Sequence, residues 1–164
     1  MGQTTRQKGF SVIEMMIGVS LLLTLTALAL PNFHRARIAA NESSVVANMR
    51  TLNSALATYN ISHRHCGYPD SLTRLGPGNP PTDAAADLLD SVVANDAFAK
   101  SGYHFTYTLV SGAGDCAGVP GTDYEIEAQP AARNGTGGRG FYTDSSRIIR
   151  GDPDGDADAS SPPV

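Results

Sequence analysis

The chain has 164 residues, enough for one ordinary domain with a core of its own, and it is 41% apolar, 17% charged and formally −4 at pH 7. That balance excludes a disordered chain and a general nucleic-acid binder. Two cysteines without a CxxC pair exclude a zinc ribbon or thioredoxin motif, and no P-loop, dinucleotide fingerprint or G-x-S-x-G is present.

Residues 1–9, MGQTTRQKG, are polar and carry Arg6 and Lys8 with no acid. Met1-Gly2 does not continue as a myristoylation signal, because Arg6 stands where Ser or Thr is required. From Phe10 to Leu30 the only charge is Glu14. As a helix this segment would run about 31 Å, the thickness of a bilayer core. A secretory signal would place its small residue after the apolar run, whereas Gly9 precedes it. A cut after Gly9 would remove the basic leader and keep the membrane helix. The leader's positive charge puts it on the cytoplasmic side, although Arg35 and Arg37 follow the span closely. A lone carboxylate in hydrocarbon is costly, so Glu14 needs a partner or a function.

Gly9-Phe10-Ser11-Val12-Ile13-Glu14 resembles the class III signal of type IV pilins and type II secretion pseudopilins: basic leader, Gly, Phe, then an apolar helix with Glu fifth after the cut. The resemblance is close over residues 1–60 and only one of layout beyond. It implies cleavage by a prepilin peptidase between Gly9 and Phe10, N-methylation of Phe10, and a role for Glu14 in assembly. A buried Glu14 would meet the freed amine of a neighbouring copy.

Pro31 follows the span, and the helical pattern resumes at once, which predicts a kink rather than an end. Ile38, Val45, Met49, Leu52, Leu56 and Tyr59 then fall on one helical face. Residues 63–81 read as a loop, and Thr82-Asp83 as the cap of a short helix over 83–95 with Leu88, Leu89, Val92 and Val93 buried. Alternation marks strands at Tyr103-Phe105-Tyr107-Leu109 and Tyr124-Ile126-Ala128, and shorter ones at 140–143 and 147–150. The expected fold is α+β: a long N-terminal helix packed on a four-stranded antiparallel sheet, pilin-like in layout. The expected divisions are leader 1–9, membrane or filament-core helix 10–30, amphipathic half 31–62, head 63–151 and a disordered acidic tail 152–164.

Cys66 and Cys116 would lie outside the cytoplasm, where a disulfide persists; two buried free thiols are the alternative. His63, His65 and Cys66, with Asp70 as a further acid, are too few to close a metal site. Asp152, Asp154, Asp156 and Asp158 alternate and are weak calcium candidates, since Gly155 and Pro163 break the EF-hand pattern. No other cofactor is expected. Asn134-Gly135-Thr136 forms a glycosylation sequon.

The resemblance implies a structural protein, not an enzyme. As a pilus subunit it would serve adhesion, motility or DNA uptake, with nucleic acid a partner only indirectly. Its partners would be copies of itself in a helical polymer, the peptidase, an inner-membrane assembly platform with its ATPase, and the bilayer before assembly. It would move from the bacterial inner membrane to an extracellular filament. The rival within the family is a secretion pseudopilin forming a periplasmic piston. A membrane-anchored extracytoplasmic binding domain is the rival of another class.

Overall fold

A computed structural model describes residues 9–164, and the basic leader with Arg6 and Lys8 lies outside the described residues. Helix α1 spans Val12–Ser62. It is followed by a 3-10 turn, Leu72–Leu75, and strands β1 (Ala97–Lys100), β2 (Tyr103–Ser111), β3 (Asp123–Pro130), β4 (Gly140–Asp144) and β5 (Arg150–Asp152). The strands form one antiparallel meander in chain order. The chain divides into two compact units, one ending at Ala36 and the other Arg37–Val164.

In the second unit the predicted helical stripe is buried. Val45, Met49, Leu52, Leu56 and Tyr59 have no exposed surface, while Ile38 is half-buried. The stripe meets the inward residues of the sheet, Tyr103, Phe105, Tyr107, Tyr124, Ile126, Ala128 and Phe141, in one core. Period-2 alternation puts these side chains on one face, and the register sets Phe105 opposite Ala128 and Tyr107 opposite Ile126. One polar side chain enters from the helix. Asn53 donates from Nδ2 to Thr143 Oγ1 (3.0 Å) and accepts at Oδ1 from the Tyr124 hydroxyl (2.9 Å). It thereby ties α1 to β3 and β4 at one buried point.

Four expectations are corrected. The sheet has five strands, because Ala97–Lys100 pairs with β2 through a two-residue turn at Ser101 (φ 54°) and Gly102 (φ 75°). Positive φ at both central residues suits the right-handed twist of a hairpin. The helix expected over 83–95 does not form. Its amides turn instead to the 3-10 segment: Ala86 donates to Arg74, Asp87 to Gly76, and Leu88 and Leu89 to Leu75. Asp87, at φ 54°, breaks any helical path. Leu89 and Val93 are buried as expected, but Val92 is exposed.

The third correction is the C-terminal segment, which is folded rather than disordered. Gly151 donates to the Pro162 carbonyl and Val164 to that of Ile149. Ala157 and Ser161 are buried. Within it, Asp158 accepts from the amides of Ser160 (2.8 Å) and Ser161 (3.0 Å), so an acid acts as a turn cap. The strand expected at 147–150 is displaced to Arg150–Asp152, because Arg147 adopts φ 63°.

Burial pushes the Tyr103 and Tyr142 phenols up to about 12 from an ordinary 10.0, and raises those of Tyr59, Tyr107 and Tyr124 as well. The fold therefore requires neutral phenols. Their contribution is complete below pH 10, where the unfolded chain is also neutral, and is lost as pH rises through the folded-state values. Denaturant unfolding of the full chain in micelles should show stability falling between about pH 10 and pH 12, with tyrosinate absorbance appearing as the head opens. Asn53→Leu should cost about 1–3 kcal/mol in the same assay, because it orphans the Tyr124 and Thr143 hydroxyls.

Candidate assembly site

The N-terminal unit is helical from Val12, one residue after Ser11, whose carbonyl accepts the Met15 amide at 3.2 Å. Gly9 and Phe10 precede the helix in exposed, non-helical chain, so the predicted scissile bond is accessible. Phe10 is 77% exposed. Glu14 sits in the first turn, where free amide hydrogens give the helix its positive end.

The large apolar side chains described between Phe10 and Phe33 are 53–78% exposed. This is the one helix in the described residues long and apolar enough to cross a membrane. Three of its hydroxyls are satisfied internally. The hydroxyls of Ser20, Thr24 and Thr26 donate to carbonyls four residues back, at 2.7, 2.6 and 3.0 Å. Such closure is what a helix in hydrocarbon needs, and it leaves Glu14 as the one charge on the span. Pro31 lies inside α1. It has no amide hydrogen, so the Ala27 carbonyl loses its usual helical donor.

The head is stapled to the second part of α1 at several places. Cys66 and Cys116 form a disulfide, with the sulfurs 50 residues apart in sequence, joining the chain just after α1 to the loop between β2 and β3. Beside it the Gly121 amide donates to Cys66 O and the Tyr68 amide to Gly121 O, each at 2.8 Å. Gly67 must be glycine: its φ is +70°, and an added Cβ would strike the backbone of Gly121.

Farther up the helix, Glu42 accepts the amides of Gly138 (3.0 Å) and Arg139 (3.4 Å) and pairs with the Arg139 guanidinium at 3.3 Å. Asn41 donates to the Thr136 carbonyl at 2.7 Å. These helix residues pin the 131–139 loop, and sequence reading missed them because each signal needs a partner about 95 residues away. That loop carries the sequon. Asn134 is exposed at φ 60°, and the Thr136 hydroxyl bonds within the turn to Ala132.

His63 and His65 do come together, but around Asp83 rather than Asp70. Their Nε2 atoms lie 3.3 and 3.1 Å from its two oxygens. Asp70 instead pairs with Arg74. His65 and Asp83 also lie near Cys66 and Cys116, whose sulfurs are committed to the disulfide. The calcium candidates are not gathered. Asp152 accepts the Asp154 amide at 2.6 Å, and Asp152, Asp154 and Asp156 form no common ligand cluster among the described residues.

A lipid-length apolar helix with an acid in its first turn, continuing into the core helix of a small antiparallel α+β head, gives a pilin-like architecture. Residues 4–30 match the family described as the prokaryotic N-terminal methylation motif. Two relatives described as "Type IV major pilin protein PilE1" of Neisseria gonorrhoeae are similar over 88 residues, 54% of this chain. One is 33% identical over 52% of its own length, the other 31% identical over 48%. The chain thus spans about half the length of the curated relatives it matches, and no solved structure matches it. Its likeness is to type IV major pilins over about half its length, and to the N-terminal methylation motif over residues 4–30.

Replacing Cys66 and Cys116 together by Ser should lower head stability by about 4 kcal/mol, the loop-closure value for this separation. The denaturant midpoint of the full chain in micelles, compared with and without the substitutions, measures it.

Proposed function

We propose that the chain is the structural subunit of a type IV pilus. A prepilin peptidase cuts between Gly9 and Phe10, and Phe10 is N-methylated. Residues 10–30 hold the subunit in the inner membrane with its head outside. An assembly platform and its ATPase then move it into a helical filament, which serves adhesion, motility or DNA uptake.

One observation carries this reading: an exposed apolar helix bearing a single carboxylate one turn from the cleavage point. In lipid the apolar surface is covered, but the acid is not matched. In a bundle of identical helices both needs are met, because the cut creates one amine for each Glu14. Removing one partner of such a buried pair typically costs about 3–5 kcal/mol. The pair would set axial register as the apolar residues supply cohesion. Similarity to two major pilins favours the pilus over a secretion pseudopilus.

The test is the N-terminal mass of protein sheared from the cell surface. The expected product begins at N-methylated Phe10; unprocessed protein confined to the membrane would overturn the reading. Glu14→Val should leave cleavage intact and reduce filament yield by at least about a hundredfold, the lower end of the pair's free energy.

A further inference from the structure

Arg50 and Arg147 face one cleft of 320 Å³ on the head, with Asn53 at its base and Ser54 on its rim. No carboxylate lines it. Neither arginine makes an ion pair among the described residues, whereas Arg74 and Arg139 both do. The nearest acid in the turn, Asp144, directs its carboxylate to Ser146. Arg147 also holds φ 63°, a left-handed conformation in which glycine is the easy choice. Two guanidiniums at one cleft present the paired N–H donors that carboxylates accept.

The same head displays free carboxylates elsewhere. Asp154 and Asp156 are exposed and make no ion pair among the described residues. They are held in place, because the segment is fastened at both ends: Asp152 caps the Asp154 amide, and Asp158 caps Ser160 and Ser161. Arg133 packs over Gly155 in the middle, where an added Cβ would collide with its guanidinium. The acids therefore form a fixed patch and not a loose tail.

We propose that the cleft of Arg50 and Arg147 receives Asp154 and Asp156 of a second copy. The proposal rests on the polymer reading above. Identical subunits that repeat through a non-closing contact need two different, complementary patches on one surface. A chain with net charge −4 and an unneutralised two-arginine cleft supplies such a pair. The contact would set the rotation of one head against the next, independently of Glu14.

Charge exchange in the full chain tests it, in cells whose wild-type chain makes filaments, with sheared filament mass read against membrane-held subunit. Arg50→Glu with Arg147→Glu should lower filament yield at least about tenfold, since it sets like charges together. Asp154→Lys with Asp156→Lys should do the same, and all four together should restore assembly. No loss, or loss without restoration at normal membrane levels, overturns the contact while leaving the polymer reading intact. Should a reversal lower the membrane level, Ser54→Cys with Asp156→Cys decides. Oxidised filaments giving a ladder of crosslinked copies support the contact, and their absence overturns it. A wild-type chain that makes no filament on the cell surface overturns the polymer reading and this contact with it.

Discussion

An apolar helix that its own chain leaves uncovered governs this protein. More than half the surface of each large apolar side chain described from Phe10 to Phe33 is exposed. At about 25 cal/mol per Å² of apolar area, such a surface is not stable in water. Two environments satisfy it: lipid, and the matching surfaces of other helices. Ser20, Thr24 and Thr26 close their hydroxyls onto the helix backbone and suit both environments. On the proposed filament reading Glu14 would discriminate between them, because a neighbouring subunit can set a fixed cation beside it and lipid cannot. In that reading the apolar residues would make transfer between the two solvents possible, and the acid would give the protein solvent its advantage.

The head has the opposite design. Its part of α1 is buried along one stripe, and the other faces carry the polar contacts that organise the loops. Asn53 joins β3 and β4 to the helix, Glu42 and Asn41 hold the 131–139 loop, and the disulfide holds the loop between β2 and β3. Long connections are costly to order, and each here is fastened at a specific point. The result is a head with a defined surface, as any repeating contact between identical subunits requires.

The features legible in the sequence were periodic or local. The stripe from Val45 to Tyr59 and the alternation in β2 and β3 follow from repeats of 3.6 and 2, and the N-terminal signal from adjacent residues. What escaped depends on distant partners. Ala97–Lys100 is short and half alanine, so its strand character comes from pairing with β2. The 83–95 segment has a helical pattern, but the carbonyls of residues 74–76 offered its amides a better-placed set of acceptors. The acidic composition of 152–164 pointed to disorder, yet two backbone bonds and buried Ala157 and Ser161 hold it to the head. His63 and His65 found Asp83, because Asp70 was already paired with Arg74.

A density map of the assembled filament, resolved to side chains, tests the central claim most directly. It should show the Glu14 carboxylate within about 3 Å of the methylated Phe10 nitrogen of an adjacent copy. A carboxylate surrounded by aliphatic carbon alone, with every Phe10 nitrogen out of reach, would contradict it.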